Sequence, residues 1–347
     1  MSFITLNAED FVVSSDSITS TLWSNNITSL NTLYTSSTTI NNNAYLPVYS
    51  ENPVVNASTL PQFSIAYGQL YGSGSAPINA AIPGLSPTRI TYGQYRTLIN
   101  GDENTNISFG TGNTNSPDFY IISLNRANYK EKLFPGTFNL WLSGSDGTDS
   151  QLIKLTDNSV DTTTLSYCDA GRVFDIISGS NGSSTTVIPT GSSAAGYTVS
   201  GSYGKFLPDV GLILLNARAL ALSCSFGGIG LTPSATDTIS SLGLTNSNLV
   251  NTINKGKHFS LNSEETITSD YIFVRIKNSD FNYTTNPSMI SGSGEFYYPS
   301  LINNPQTYIT TVGLYNDNNE LLGVAKLSKP LVKDFTKEAL IRVKLDF

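Results

Sequence analysis

The clearest alternation in the chain lies at its C-terminus. Ala339, Ile341, Val343, Leu345 and Phe347 are apolar, Arg342, Lys344 and Asp346 between them are charged, and Leu340 alone is out of phase. A period of two places the two sets on opposite faces of a strand. Residues 271–277 repeat the pattern, with Ile272, Val274 and Ile276 set against Arg275 and Lys277. Thr307–Tyr315 and residues 321–327 are predicted to form a hairpin around Asn316, Asp317, Asn318 and Asn319, a run that tolerates turn conformations. The Lys329-Pro330 step is expected to end the second of these strands, because proline cannot donate to the ladder. Residues 334–337 are expected to make one helical turn before the last strand.

Upstream, residues 62–69, 119–124, 151–156 and 173–177 read as strands, and Phe138, Leu140 and Leu142 alternate with Thr137, Asn139 and Trp141. The apolar run at 210–215 suits a buried strand. Helical spacing appears at 89–100 through Tyr92, Tyr95, Leu98 and Ile99, and at 242–253 through Leu244, Leu249, Val250 and Ile253. It also appears at 17–34, through Ile18, Leu22, Ile27, Leu30 and Leu33. That stretch is rich in Ser, Asn and β-branched residues, which form helices poorly, so it needs a partner surface. Trp23 and Tyr34 are its large anchors.

These patterns define a mainly β fold with minor α+β character. Antiparallel sheets form β-sandwich-like modules, joined by a few short helices and preceded by an extended N-terminal arm. The expected divisions are an arm with a short helix at 1–60, a β-rich module at 61–177, a Gly/Ser-rich surface loop at 178–206 and a C-terminal β-rich module at 207–347.

Composition narrows the function. Charged residues are 13% of the chain, about half the usual share, and aromatics at 10% argue against disorder. A net charge of −7 disfavours nucleic-acid binding, which needs clustered cations. The basic residues of the tail, Lys326, Lys329, Lys333, Lys337, Arg342 and Lys344, are interleaved with Asp334, Glu338 and Asp346. They read as a solvated or interface face. Cys168 and Cys224 suggest neither a disulfide scaffold nor a metal site. The first residues lack the basic and apolar regions of a signal peptide, and no apolar run is long enough for a membrane helix, so no membrane insertion is expected.

Reaction chemistry is sparse. His258 is the single histidine, and no Gly-x-Ser-x-Gly elbow accompanies it. Glu264 and Glu265 are adjacent and so point apart, which does not suit a glycosidase pair. Gly72-Ser73-Gly74-Ser75 has no following Lys to complete a phosphate loop, and Asp146 with Asp149 gives too few ligands for calcium. No catalytic, cofactor or metal site is expected.

Six stretches carry a family resemblance, in order along nearly the whole chain: QFSIAYGQLYGSGS (62–75), TYGQYRTLI (91–99), DFYIISLNRANYKEKLFPGTFNL (118–140), PDVGLILLNA (208–217), IFVRIKNSDFNYTTNP (272–287) and the tail from 304 to 347. The chain resembles a family of virion structural proteins of T-even-like contractile-tailed phages, notably those of marine cyanobacteria. The resemblance implies a non-enzymatic structural subunit of a bacteriophage tail or baseplate. Its implied partners are other tail and baseplate proteins, in a homo-oligomer or multicopy ring, and its implied location is the virion after synthesis in the host cytoplasm. The candidate subunit contacts are Trp23, Tyr34, Lys326, Lys333, Arg342, Lys344 and Phe347. The alternative is a receptor- or glycan-binding tail fibre module, with Tyr197 and Tyr203 stacking on sugars. A polysaccharide-degrading tail enzyme is the third reading.

Overall fold

A computed structural model describes residues 3–36, 45–72, 88–110, 116–144, 152–185, 202–222, 231, 239–282 and 286–346. The protein is mainly β, with 45% of residues in strands against 15% in helices. In chain order the first strands are β1 (Phe11–Thr21), β2 (Tyr34–Thr35), β3 (Tyr45–Tyr49) and β4 (Pro61–Gln69), followed by helix α1 (Thr88–Asn100). Then come β5 (Asp118–Leu124), β6 (Lys132–Leu133), β7 (Asn139–Ser143), β8 (Leu152–Asp157), β9 (Ser166–Cys168), β10 (Gly171–Ser180) and β11 (Ser183–Ser184). They are followed by β12 (Gly204–Leu207), β13 (Leu212–Leu215), α2 (Ala217–Leu222), α3 (Ile239–Gly256), β14 (Phe259–Ser260) and β15 (Asn262–Ile276). The chain finishes with α4 (Ser300–Asn303), β16 (Thr307–Tyr315), β17 (Leu321–Lys333) and β18 (Ala339–Asp346).

Residues 18–265 form one compact unit. Its sheet runs β14-β7-β8-β10-β12-β13-β5-β4-β3-β2, with β9 and β11 hung on β10. Every neighbouring pair on that path is antiparallel. The sheet closes on itself. Leu30 exchanges two backbone hydrogen bonds with Phe259 beside the first strand, at 2.9 and 3.0 Å. A few residues on, Tyr34 and Thr35 pair with β3 at the other end. One extended segment therefore joins both ends of the strand order into a barrel-like ring.

The interior of the ring is apolar and aromatic. Trp23, Phe63, Phe138, Phe206 and Phe259 are all buried there. Trp23 meets Phe259 at 4.9 Å between ring centroids, Phe63 meets Phe259 at 5.5 Å and Phe138 meets Phe206 at 5.4 Å. Helix α3 packs on β7, β3 and β4, across the closure. The Asn254 amide of α3 receives the Leu33 N–H and donates to the Leu33 carbonyl, at 2.6 and 3.1 Å. The closing segment is thus fixed from the helix side as well.

The apolar strands β5 and β13 are covered on both faces, which explains their lack of alternation. Tyr120, Ile122, Ile213 and Leu215 point into the ring. Phe119, Ile121, Leu212 and Leu214 point outward into a second core under α1, with Tyr92, Ile107 and Phe109. Gly68 of β4 permits the close approach of α1, because a Cβ there would stand 3.1 Å from the Tyr92 backbone.

Residues 1–17 and 266–347 form the other unit. Strand β15 lies between β1 and β18, and β16 pairs with β17 as a hairpin. Its core is small: Ile272, Val274, Ile276, Ile341 and Val343 are buried, with a ring of half-buried aliphatics around them.

Several expectations differ from these findings. The expected arm at 1–60 is not peeled away, and residues 17–34 are not helical: β1 ends at Thr21, a short 3-10 turn covers Ser24–Asn26, and Leu22, Trp23, Leu30 and Leu33 are buried. The β-branched and Asn content favours extended chain, and large side chains reach the core without helical phasing. The boundaries expected at 60, 177 and 206 do not coincide with the two units, since strands from Tyr34 to Ser260 share one ring and β1 joins the sheet of β15 and β18. Strand β10 extends to Ser180 and β11 pairs back on it, so the expected loop at 178–206 begins as strand. Pro330 does not end β17. It lies in an irregularity between the pairs Thr311–Lys326 and Ile309–Leu331, where no ladder donor is needed. Residues 334–337 form a turn in which the Asp334 carboxylate accepts from the Thr336 N–H and hydroxyl, at 2.9 and 2.6 Å.

Candidate interaction surface

The 1–17/266–347 unit is built from strands whose sequence alternates, and one set of side chains closes its small core. The opposite set is not wholly polar. Tyr308 and Tyr315 on β16, Leu321, Leu322 and Val324 on β17, and Leu340 on β18 are exposed. Leu322 is 71% exposed and Leu340 62%. On β1, the consecutive residues Phe11, Val12 and Val13 are all exposed, so both faces of that strand are open. Among the described residues, β1 and β18 are the edges of their sheet, and β16 and β17 each have one unpaired side. Apolar side chains beside unpaired strand edges make a surface suited to a protein partner.

The candidate contact residues divide three ways. Lys326, Arg342 and Lys344 are exposed on this unit. Arg342 and Lys344 come together over one ring, with the Arg342 Cζ 5.6 Å and the Lys344 Nζ 5.9 Å from the centre of Tyr271. Lys344 also meets Asp346 at 2.8 Å, and Ser269 donates to the same carboxylate at 2.7 Å. That hydrogen bonding, with Lys344 foremost, lowers the Asp346 carboxyl from its usual range. Tyr34 is exposed too, but lies on β2 in the other unit.

Trp23 and Lys333 are not contact residues. Trp23 is 2% exposed and belongs to the ring interior. Lys333 is fully buried, and its ammonium donates to the Asn278 carbonyl, the Asn282 amide oxygen and the Asp334 carbonyl at 3.0, 2.8 and 2.9 Å. Three donors meet three acceptors, so the charge pins the end of β17 to the turn after β15. Nothing in the alternation marks Lys333 as buried, since two of its three partners, Asn278 and Asn282, lie 55 and 51 residues upstream. Phe347, Tyr197, Asp146, Asp149 and Cys224 lie outside the described residues. Tyr203, expected to stack on a sugar, is 2% exposed and faces the ring interior.

Strand β1 is not among the expected elements. Its signal was present in Phe11, Val12 and Val13 followed by β-branched Ile18 and Thr19, a composition that favours strand.

Several titratable groups in the 18–265 unit are tied into local contacts. The Ser29 hydroxyl and His258 Nδ1 are 3.0 Å apart. The His258 ring packs on Trp141 at 4.6 Å, and burial followed by the Lys154 charge lowers its pKa. A cation beside the ring is the reverse of what a general base of a triad requires. Glu265 turns to Lys130 at 2.6 Å, and Glu264 pairs in register with Lys132. Asp118 is fully buried and takes both carboxylate bonds from Arg218 Nε, at 3.0 and 2.9 Å, tying β5 to α2. Burial pushes the Asp118 carboxyl up against the pull of Arg218, and pushes up the neighbouring Tyr67 and Tyr120 hydroxyls. The Tyr120 hydroxyl has no hydrogen-bond partner among the described residues.

Among the described residues no group of three or more His, Cys, Asp or Glu is arranged to hold a metal ion. No described helix is long and apolar enough to cross a membrane. No family model, curated protein or solved structure matches the chain.

Proposed function

We propose that this chain is a non-enzymatic structural subunit of a bacteriophage virion, in the tail or baseplate. It acts through protein–protein contacts during assembly, with further copies of itself in a ring and with other tail or baseplate proteins. The observation that carries the assembly role is the set of exposed apolar residues on β1, β16, β17 and β18, set beside unpaired strand edges. A partner strand or sheet would cover both at once. The phage tail or baseplate setting follows from the sequence resemblance, and the acidic, low-charge composition agrees with it.

The experiment replaces Leu322 and Val324 together by Glu. Both are exposed and stand two apart on β17, so one face changes and the core of the unit does not. The isolated variant is expected to fold as the parent does, yet to fail to form higher oligomers and to be missing from particles. A variant that assembles like the parent overturns the assembly role. Electron microscopy of particles carrying a labelled chain tests the setting: label on the capsid or at a fibre tip overturns the baseplate assignment.

A further inference from the structure

The outer face of the closed sheet is not wholly filled by α1. A cleft of about 300 Å³ remains between that helix and strands β3, β4 and β5. It lies within the 18–265 unit. Tyr45 and Tyr95 contribute aromatic rings to its lining. In register, Tyr45, Ala66 and Ile121 form one row across the three strands, and Ser64 and Ser123 are paired in a row beside it. Gln94 and Thr91 come from the helix.

We propose that this cleft binds one neutral pyranose unit of a glycan. Its lining contains no charged residue, which suits a ligand without phosphate, carboxylate or ammonium. Hydroxyl and amide groups each donate and accept, as sugar hydroxyls do. The side chains of Ser64, Ser123 and Gln94 make no hydrogen bonds among the described residues, so that capacity is open to a ligand. Burial pushes the Tyr95 phenol up, and it stays a neutral donor and acceptor near pH 7. Tyr45 is half exposed, at 51%, and offers an apolar ring to the C–H face of a sugar. The volume stands at the small end of ligand pockets, about 300–1,000 Å³, which suits a single ring. An extended peptide finds no backbone edge on β4 or β5, which are each paired on both sides.

The test uses the purified full chain and saturation-transfer NMR. The probes are methyl glucoside, methyl galactoside, N-acetylglucosamine and N-acetylgalactosamine, with adenosine monophosphate and tetra-alanine as counter-probes. At least one sugar is expected to bind with a dissociation constant on the order of 1 mM. Tyr45→Ala is expected to weaken it about tenfold and Gln94→Ala about threefold. Tyr71→Ala, at an 81% exposed tyrosine outside the lining, is expected to leave it unchanged. Gln94 is exposed on α1 and decides the matter if Tyr45→Ala lowers the melting temperature. The proposal is overturned if no sugar binds, if Gln94→Ala binds as the parent does, or if adenosine monophosphate or tetra-alanine displaces the sugar.

Discussion

The two units use the same kind of strand to opposite ends. In the 18–265 unit, antiparallel strands close into a ring, and large aromatics from β4, β12 and β14, with Phe138 just before β7, fill it. In the 1–17/266–347 unit, one sheet and one hairpin bury few side chains and leave Leu322, Val324 and Leu340 exposed. A closed sheet satisfies its own edges and its own apolar face, whereas an open one leaves both for another molecule. The contrast teaches that alternation alone does not say what an apolar stripe faces. Identical patterns mark a self-contained core in one unit and an available surface in the other.

The largest effect that would sharpen the comparison comes from the ring interior. Phe259→Ala removes a ring packed against Trp23, Phe63 and Phe138, and is expected to cost about 3–5 kcal/mol in urea unfolding. Amide exchange should then rise in β4, β5 and β7 together. Next comes Lys333→Ala, which leaves the Asn282 amide oxygen and two carbonyls without their donor, at about 2–4 kcal/mol. Its faster exchange should stay in β16 and β17, and equal loosening of β4 and β5 would break the division into two units. Leu340→Ser is expected to change stability by no more than about 0.5 kcal/mol in the isolated chain, because its side chain is already in water. A large loss there would mean that the surface is covered within the chain.

The smallest effect concerns acid. Hydrogen bonds from Thr336, with help from Lys337, hold the Asp334 carboxyl down to about 2. A carboxyl depressed in the folded state stabilises fully above its unfolded value, near 3.8, and that contribution fades as pH falls towards 2. Asp334→Asn should therefore be less stable than the parent near neutral pH, with the difference shrinking between pH 4 and pH 2. A constant difference across that range would remove Asp334 as a charge-dependent cap of the β17 turn.

The legible parts of the sequence were those where local pattern and burial coincide. Ile272, Val274 and Ile276 face Ile341 and Val343 as their alternation requires, and α1 turns Tyr92, Tyr95, Leu98 and Ile99 to one core. The run from Ile18 to Leu33 misled because five apolar residues near helical spacing also fit an irregular extended path with large anchors. Pro330 misled because a strand irregularity absorbs it. In the candidate surface, Arg342 and Lys344 were legible from alternation, while Lys333 was not, since its acceptors come from the distant turn at 278–282. The cleft beside α1 gave no sequence signal, because Tyr45, Ser64 and Ser123 come together only through the register of three strands, and Gln94 only through the packing of α1 on them.

Ring closure also sets a timetable. Leu30 leaves the ribosome early, but its partner Phe259 follows only after almost every other strand of the ring has been made. Until then the growing sheet has two open ends, and Leu22, Trp23 and Leu33 have no finished interior to enter. Contacts so far apart in sequence form slowly and leave sticky edges exposed meanwhile. The ring should consequently be completed only once residue 259 has emerged, and a nascent chain stalled before that point should be the species that chaperones capture.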